Sequence, residues 1–272
     1  MRYLIGIDLD GTLLDKESKL TSKTINFLQK AEKEGHIVVL STGRSFDASI
    51  DYYNEIDLNS PLINDSGGYI SYPKDQSKKP TLFNISDKDI KTIKEHLSPY
   101  FFASYFSTSK NIYAFGNYSK CNTYFFAQEE YKHFLTNKSF GELPITSILA
   151  FIEKDKNNEF LNYFNELTEI NVYLRSWGLI GNEVFVYEIL KKGVNKLSAL
   201  KSLLKEFSLS EDSLITFGDG ANDLEMVKEA KYGYAMKDSR LSKLDGIKYI
   251  TEYDNANDGV ILALSSILNI KS

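Results

Sequence analysis

The sequence has a single cysteine, Cys121, so no disulfide can close within the chain, and no Cys or His stands beside it at zinc-ligand spacing. A reducing cytoplasm is the expected setting. Histidine is also scarce. His36, His96 and His133 lie outside every motif described below, which leaves no legible Ser/His/Asp constellation and suggests structural or surface roles for all three. No apolar run approaches the roughly 18 residues of a membrane span, and Tyr3–Ile7 is too short for a secretion signal and runs straight into acidic residues. An excess of positive charge is missing too. Thirty-two Lys and Arg against 37 Asp and Glu give a net charge of -5 and a pI near 5.4, which excludes general attraction to nucleic acid or an anionic membrane. Any anion site has to be built locally.

What is present is the composition of a globular protein, 42% hydrophobic and 25% charged over 272 residues, long enough for a core and an accessory domain. Residues 1–65 alternate strand and helix: an apolar run ends at Asp8, Ile25, Leu28 and Ala31 form a helical stripe, Ile37–Leu40 is apolar, and Pro61–Ile63 begins another short run. The pattern returns after residue 190, with Leu197, Leu200, Leu203 and Leu204 on a helical face, a strand at Leu214–Phe217 and a helix from Asp223 to Ala230. These are two parts of one parallel α/β sheet. Between them the texture changes. Tyr and Phe concentrate in 100–126, Ile145–Ile152 reads as a strand, and Phe160, Tyr163 and Phe164 mark a helix. The expected division is a core of 1–81 and 188–272 with an inserted domain at 82–187; neither repeats nor low-complexity tracts interrupt it.

Four groups of residues carry chemistry. Asp8-Leu9-Asp10-Gly11-Thr12-Leu13-Leu14 places two carboxylates where a buried strand ends, the edge at which open α/β sheets bind ligands. One carboxylate there can bind a hard cation and attack phosphorus, while the other gives and takes a proton. A plain strand-end turn is the alternative. Ser41-Thr42-Gly43-Arg44 follows the next strand and offers a hydroxyl and open backbone N–H groups near the start of a helix, a nest for phosphate or an ordinary helix cap. Gly218-Asp219-Gly220-Ala221-Asn222-Asp223 again sits between strand and helix. Asp219 can complete an oxygen-rich metal site, Asn222 can donate to phosphate, and Asp223 can hold a metal-bound water or orient a lysine. Lys196 opens the helix over 196–207, where an ammonium near Asp8 would keep that carboxylate ionised and offset the charge of an incoming phosphate. Each group alone has an ordinary structural explanation; their common order, each at a strand end or helix start, does not.

In that order the residues resemble the haloacid dehalogenase superfamily of phosphatases, and within it the Cof-type sugar-phosphatase branch: DLDGTLL, STGR, the lysine of KKGVNKLSAL, GDGANDLEM, and a similar tail at Asn257–Val260. The resemblance implies a Rossmann-like, doubly wound parallel-sheet core with an inserted α/β cap. It implies Mg2+ as cofactor, associated with Asp8, Asp10 through its backbone carbonyl, Asp219 and Asp223. It implies phosphate contacts from Leu9, Thr42, Gly43, Arg44, Lys196 and Asn222, and catalysis by Asp8 as nucleophile, Asp10 as general acid and base, and Lys196. Two positions depart from the branch: Asn64-Asp65-Ser66-Gly67-Gly68 stands where Asn-Gly-Ala is usual, so Ser66 or Asn64 fills that place, and Leu197 follows the lysine where glycine is usual.

The expected activity is hydrolysis of a small phosphorylated metabolite, without nucleic-acid or membrane partners, by a cytoplasmic monomer or small homo-oligomer. A phosphomutase and a catalytically weak phospho-ligand sensor are the alternatives. Phosphate monoesters need rate gains of up to ~10²¹, which no single proton-transfer group supplies, so metal, lysine, positioning and a covalent step are expected together.

Overall fold

A computed structural model describes residues 1–109, 111–117, 132–134 and 143–271, with 132–134 described by backbone alone. Cys121, the aromatic residues of 118–126 and the His133 side chain lie outside the described residues. Contacts divide the chain into two compact units: Met1–Gly43, Ser49–Thr81 and Asn195–Ser272 form one, Arg44–Ala48 and Leu82–Val194 the other. The border expected at 187/188 falls inside a strand, Val184–Lys191, whose hydrogen bonding carries the second unit past it.

The first unit begins with β1 (Leu4–Ile7), buried at every position. α1 (Ser22–Lys33) starts where the Thr21 hydroxyl accepts the Thr24 N–H, and it buries Phe27, Leu28 and Ala31. Phe27 takes the core position expected of Ile25, which is half-buried. β2 (Ile37–Leu40), α2 (Ile50–Ile56), β3 (Leu62–Asn64), β4 (Tyr69–Ser71) and β5 (Thr81–Leu82) follow.

In the second unit come α3 (Asp87–Thr92), β6 (Phe101–Ser107), β7 (Ile112–Gly116), β8 (Lys132–Phe134), β9 (Ser147–Glu153), α4 (Asn157–Glu166), β10 (Val172–Ile180) and β11 (Val184–Lys191). Its described strands lie in the order β10-β11-β9-β6-β7-β8. Alternation along the strands gives the sheet two apolar faces. Phe106, Ile148, Ile152 and Tyr187 pack with Ile90 and Phe160 from the helical segments, while Tyr105, Phe151 and Val186 form a separate cluster. The described aromatic residues are thus mostly core. Trp177 and Gly178 lie within β10 beside a register shift between Ser176 and Gly178, and the hairpin turn falls at residues 181–183.

The chain returns to the first unit with α5 (Lys196–Glu206), β12 (Leu214–Gly218), α6 (Leu224–Glu229), β13 (Tyr232–Ala235), β14 (Tyr249–Ile250) and α7 (Gly259–Leu268). The sheet order β14-β13-β12-β1-β2 is parallel throughout, and Ser41 bridges Ile63 in the same sense. Because connections after β1 and β12 run to opposite sides, helices gather in two groups, α1 with α2 and α7, α5 with α6. This is a doubly wound α/β core. No described helix is long and apolar enough to cross a membrane.

Candidate active site

Parallel register brings the strand ends to one edge. Ile7 lies level with Leu40 and Phe217, so Asp8, Ser41 and Gly218 stand side by side at one end of their strands. The Asp8 N–H continues the ladder to Phe217 O at 3.1 Å, and the Ser41 N–H to Ile7 O at 2.8 Å. Beyond Asp8 the chain makes one wide turn, Leu9–Leu13, closed by Leu14 N–H to Leu9 O at 2.9 Å. Gly11 is required there on two counts: its φ is +71°, and a Cβ would fall 2.4 Å from Asp219 Oδ2. The turn therefore closes tightly over the second acidic loop.

Lys196 is the first residue of α5, which is started by a reciprocal cap: the Ser198 N–H donates to Asn195 Oδ1 at 2.8 Å and the Asn195 N–H to Ser198 Oγ at 2.9 Å. Its ammonium is fully buried and donates to Asp8 Oδ1 and to Asp223 Oδ1, both at 2.6 Å. Asp223 uses its other oxygen to accept the N–H groups of Asp219 and Gly220 at 3.1 and 3.0 Å. Both oxygens of Asp223 are thus engaged. Thr12 donates to Asp219 Oδ1 at 3.5 Å.

Electrostatics follow from this crowding. Burial, then the Asp223 charge, push the Asp8 carboxyl well above the usual carboxylate range, against the opposing pull of Lys196. The same two causes push Asp219 up to about 7. Burial opposes the Lys196 charge, but Asp223 and Asp8 together outweigh it and hold the ammonium more firmly protonated than a free lysine. Asp8, Asp219 and Asp223 offer oxygens that all lie within 4.8 Å of one another. Three carboxyl groups around one ammonium make an all-oxygen donor set, which in its deprotonated form fits a hard divalent cation.

The other expected residues are placed as follows. The Leu9 side chain is fully buried, so only its backbone can face a phosphate. Thr42 is buried, its N–H bound to Ile63 O at 3.0 Å and its carbonyl accepting the Ser66 N–H at 3.1 Å. The helix expected near this segment begins at Ile50, and the intervening Arg44–Ala48 belong to the second unit, with Arg44 donating to Ala48 O at 3.2 Å. Asn222 is buried in the short turn before α6. Of the two candidates after β3, Asn64 donates to Ser49 Oγ at 2.7 Å, while Ser66 takes a left-handed conformation, φ +50°, with a buried hydroxyl. The sequence reading missed the Gly11 and Thr12 contacts to Asp219; the adjacency of both to Asp10 was the available signal. His36 accepts the Tyr3 N–H at 3.2 Å and stacks on its ring, and His96 bonds Tyr163, outside the acidic site.

A doubly wound core with this acid and lysine arrangement at its strand ends defines a class of hydrolase. Residues 5–264 match the haloacid dehalogenase-like hydrolase family, and the chain belongs to it. The chain is 27% identical over 282 residues to the 5-amino-6-(5-phospho-D-ribitylamino)uracil phosphatase YitU of Bacillus subtilis, covering 98% of each. It is 26% identical over 279 residues to the putative phosphatase MG265 of Mycoplasma genitalium, covering 97% of this chain and 98% of that one. A haloacid dehalogenase-like hydrolase from Bacteroides thetaiotaomicron shares the fold with a TM-score of 0.79 at 22% identity, over 98% of this chain and 100% of that one.

Proposed function

We propose that the protein is a Mg2+-dependent phosphatase of small phosphorylated metabolites that works through a phosphorylated Asp8. The observation that carries this reading is the Lys196 ammonium, buried between Asp8 and Asp223 at 2.6 Å from each. It holds one Asp8 oxygen and leaves the other to attack phosphorus in line with the departing oxygen. As the Asp8–phosphorus bond forms and the ester bond breaks, Asp10 gives its proton to the leaving alcohol. Water then attacks phosphorus, Asp10 takes a proton back, and Asp8 and inorganic phosphate are released. Thr42, Gly43, Arg44, Lys196, Asn222 and the Leu9 backbone serve the phosphoryl oxygens.

Asp8, Asp219 and the backbone carbonyl of Asp10 would hold Mg2+, which when bound supplies charge neutralisation on the phosphoryl group. Asp223, with both oxygens engaged, acts by orienting Lys196. The substrate of YitU carries its phosphate on a ribityl chain, so polyol phosphates belong beside sugar phosphates among the candidates.

The test is phosphate release from sugar, polyol and nucleotide monophosphates, with and without Mg2+, by wild type and Asp8→Asn. Metal-dependent release that falls at least about 10³-fold in the variant supports the reading. Release unchanged by Asp8→Asn, or an isomeric phosphate ester formed with little free phosphate, overturns it.

A further inference from the structure

A cavity of about 480 Å³, formed wholly by the first unit, lies at the other end of the strands that lead to the acidic site. Ile37, the first residue of β2, and Pro61, just before β3, line it together with Arg2, two residues before β1; the acidic site follows Ile7 and Leu40 at the far ends of the same strands. Open α/β sheets bind their substrates at the carboxyl ends, so a cavity at the amino ends stands apart from that chemistry. Its volume is that of a metabolite site.

Several donors in this cavity are unspent. Arg2 Nε donates to Gly35 O at 2.9 Å, which leaves both Nη groups, and neither Arg2 nor Lys33 forms an ion pair among the described residues. His36 accepts the Tyr3 N–H on Nδ1 at 3.2 Å, so the neutral ring carries its proton on Nε2, and no described group takes that N–H. The wall beside them is held by the chain's own contacts. Phe207 has the Arg2 guanidinium carbon 5.8 Å and the Lys78 ammonium 5.2 Å from its ring centroid, and Lys78 and Tyr72 both donate to Glu206.

The acids that line the cavity differ from these donors. Asp57 is paired with Lys74, Glu32 accepts the Asn59 N–H at 3.0 Å, and Asp75 accepts the N–H and hydroxyl of Ser77 at 3.1 and 2.6 Å. A carboxylate has about four acceptor positions, so Glu32 and Asp75 keep capacity for hydroxyl groups. Free cationic donors therefore stand beside acceptors for hydroxyls, in a space far larger than a lone phosphate fills.

We propose that this cavity is a second ligand site, for a phosphorylated metabolite of about nucleotide size: Arg2, Lys33 and His36 take the phosphate, and Glu32 and Asp75 the hydroxyl groups of its body. No step of the phosphatase reading passes through it, so the two stand or fall separately. The test is equilibrium dialysis of AMP in EDTA at low salt against wild type, Lys33→Glu, Arg2→Ala/Lys33→Ala and Asp8→Asn, with inorganic phosphate and adenosine as competitors. Arg2 and Lys33 are exposed, so their variants are expected to fold, which circular dichroism checks.

Wild type is expected to bind AMP with Kd below ~1 mM, and inorganic phosphate and adenosine to compete at least about tenfold more weakly than AMP itself. Both charge variants should weaken AMP by about tenfold or more, while Asp8→Asn stays within about twofold of wild type. No AMP retained at ~1 mM overturns the proposal. So does folded Lys33→Glu or Arg2→Ala/Lys33→Ala that binds as wild type does, or binding lost in Asp8→Asn, which would place AMP at the acidic site. Inorganic phosphate that competes as well as AMP overturns the nucleotide-sized body.

Discussion

The Lys196 ammonium touches two carboxylates at 2.6 Å without contact with solvent, so its removal exposes two charges to each other. Breaking a buried pair by deleting one partner costs about 3–5 kcal/mol, far more than a surface bridge. Lys196→Met should therefore unfold more readily, and its kcat should fall by about 10²-fold or more, from lost charge stabilisation at phosphorus. The pH profile tests the electrostatic part separately. Lys196 is the group that lowers the Asp8 pKa, so without it Asp8 takes up its proton at higher pH. The acidic limb of kcat should move upward; an unmoved limb would show that Lys196 does not act on Asp8 through charge.

At the scale of elements, α5 carries Lys196, the lysine proposed for catalysis, on its first residue, so the cap that starts the helix also aims the side chain. Asn195→Ala removes the side-chain acceptor of the Ser198 N–H and should cost about 1 kcal/mol in denaturant unfolding. Activity should fall further than this stability loss explains, because fraying the first turn displaces Lys196 from Asp8. Equal activity in a destabilised variant would separate helix capping from lysine placement.

For the whole molecule, the raised Asp8 and Asp219 couple stability to pH and to metal. Unfolded carboxylates release protons near 3.8, whereas folded Asp219 keeps its proton up to about 7 and Asp8 is raised in the same direction. The sign follows: the metal-free fold is favoured below about pH 4 by these two groups, and the Asp219 part of that contribution is lost as pH rises through about 7. Mg2+ held as proposed would take the deprotonated oxygens, compete with protons and restore stability where they leave. The rise in Tm on adding Mg2+ should be small at pH 5 and larger at pH 8. Differential scanning calorimetry across that range checks it, and a shift that shrinks with pH would exclude Asp8 and Asp219 as ligands.

Local pattern was enough to read the strands ending at Asp8 and Leu40, the apolar face of α5 and the acidic loops, because period, turn residues and helix starts are short-range properties of the chain. It misjudged what depends on distant neighbours. Phe27 takes the core position expected of Ile25, which is half-buried. By itself, then, the sequence determined the α/β class, the inventory of acids and lysine, and the sheet edge at which they emerge. Only the tertiary structure decided that Lys196 spans 188 positions to one oxygen of Asp8, that Asp223 meets Lys196 with one oxygen and the Asp219 and Gly220 N–H groups with the other, and that Gly11 must stay bare beneath Asp219. Those contacts depend on the parallel register of β1 and β12 and the seating of α5, and hydrogen bonds weaken steeply when distance or angle departs from the ideal.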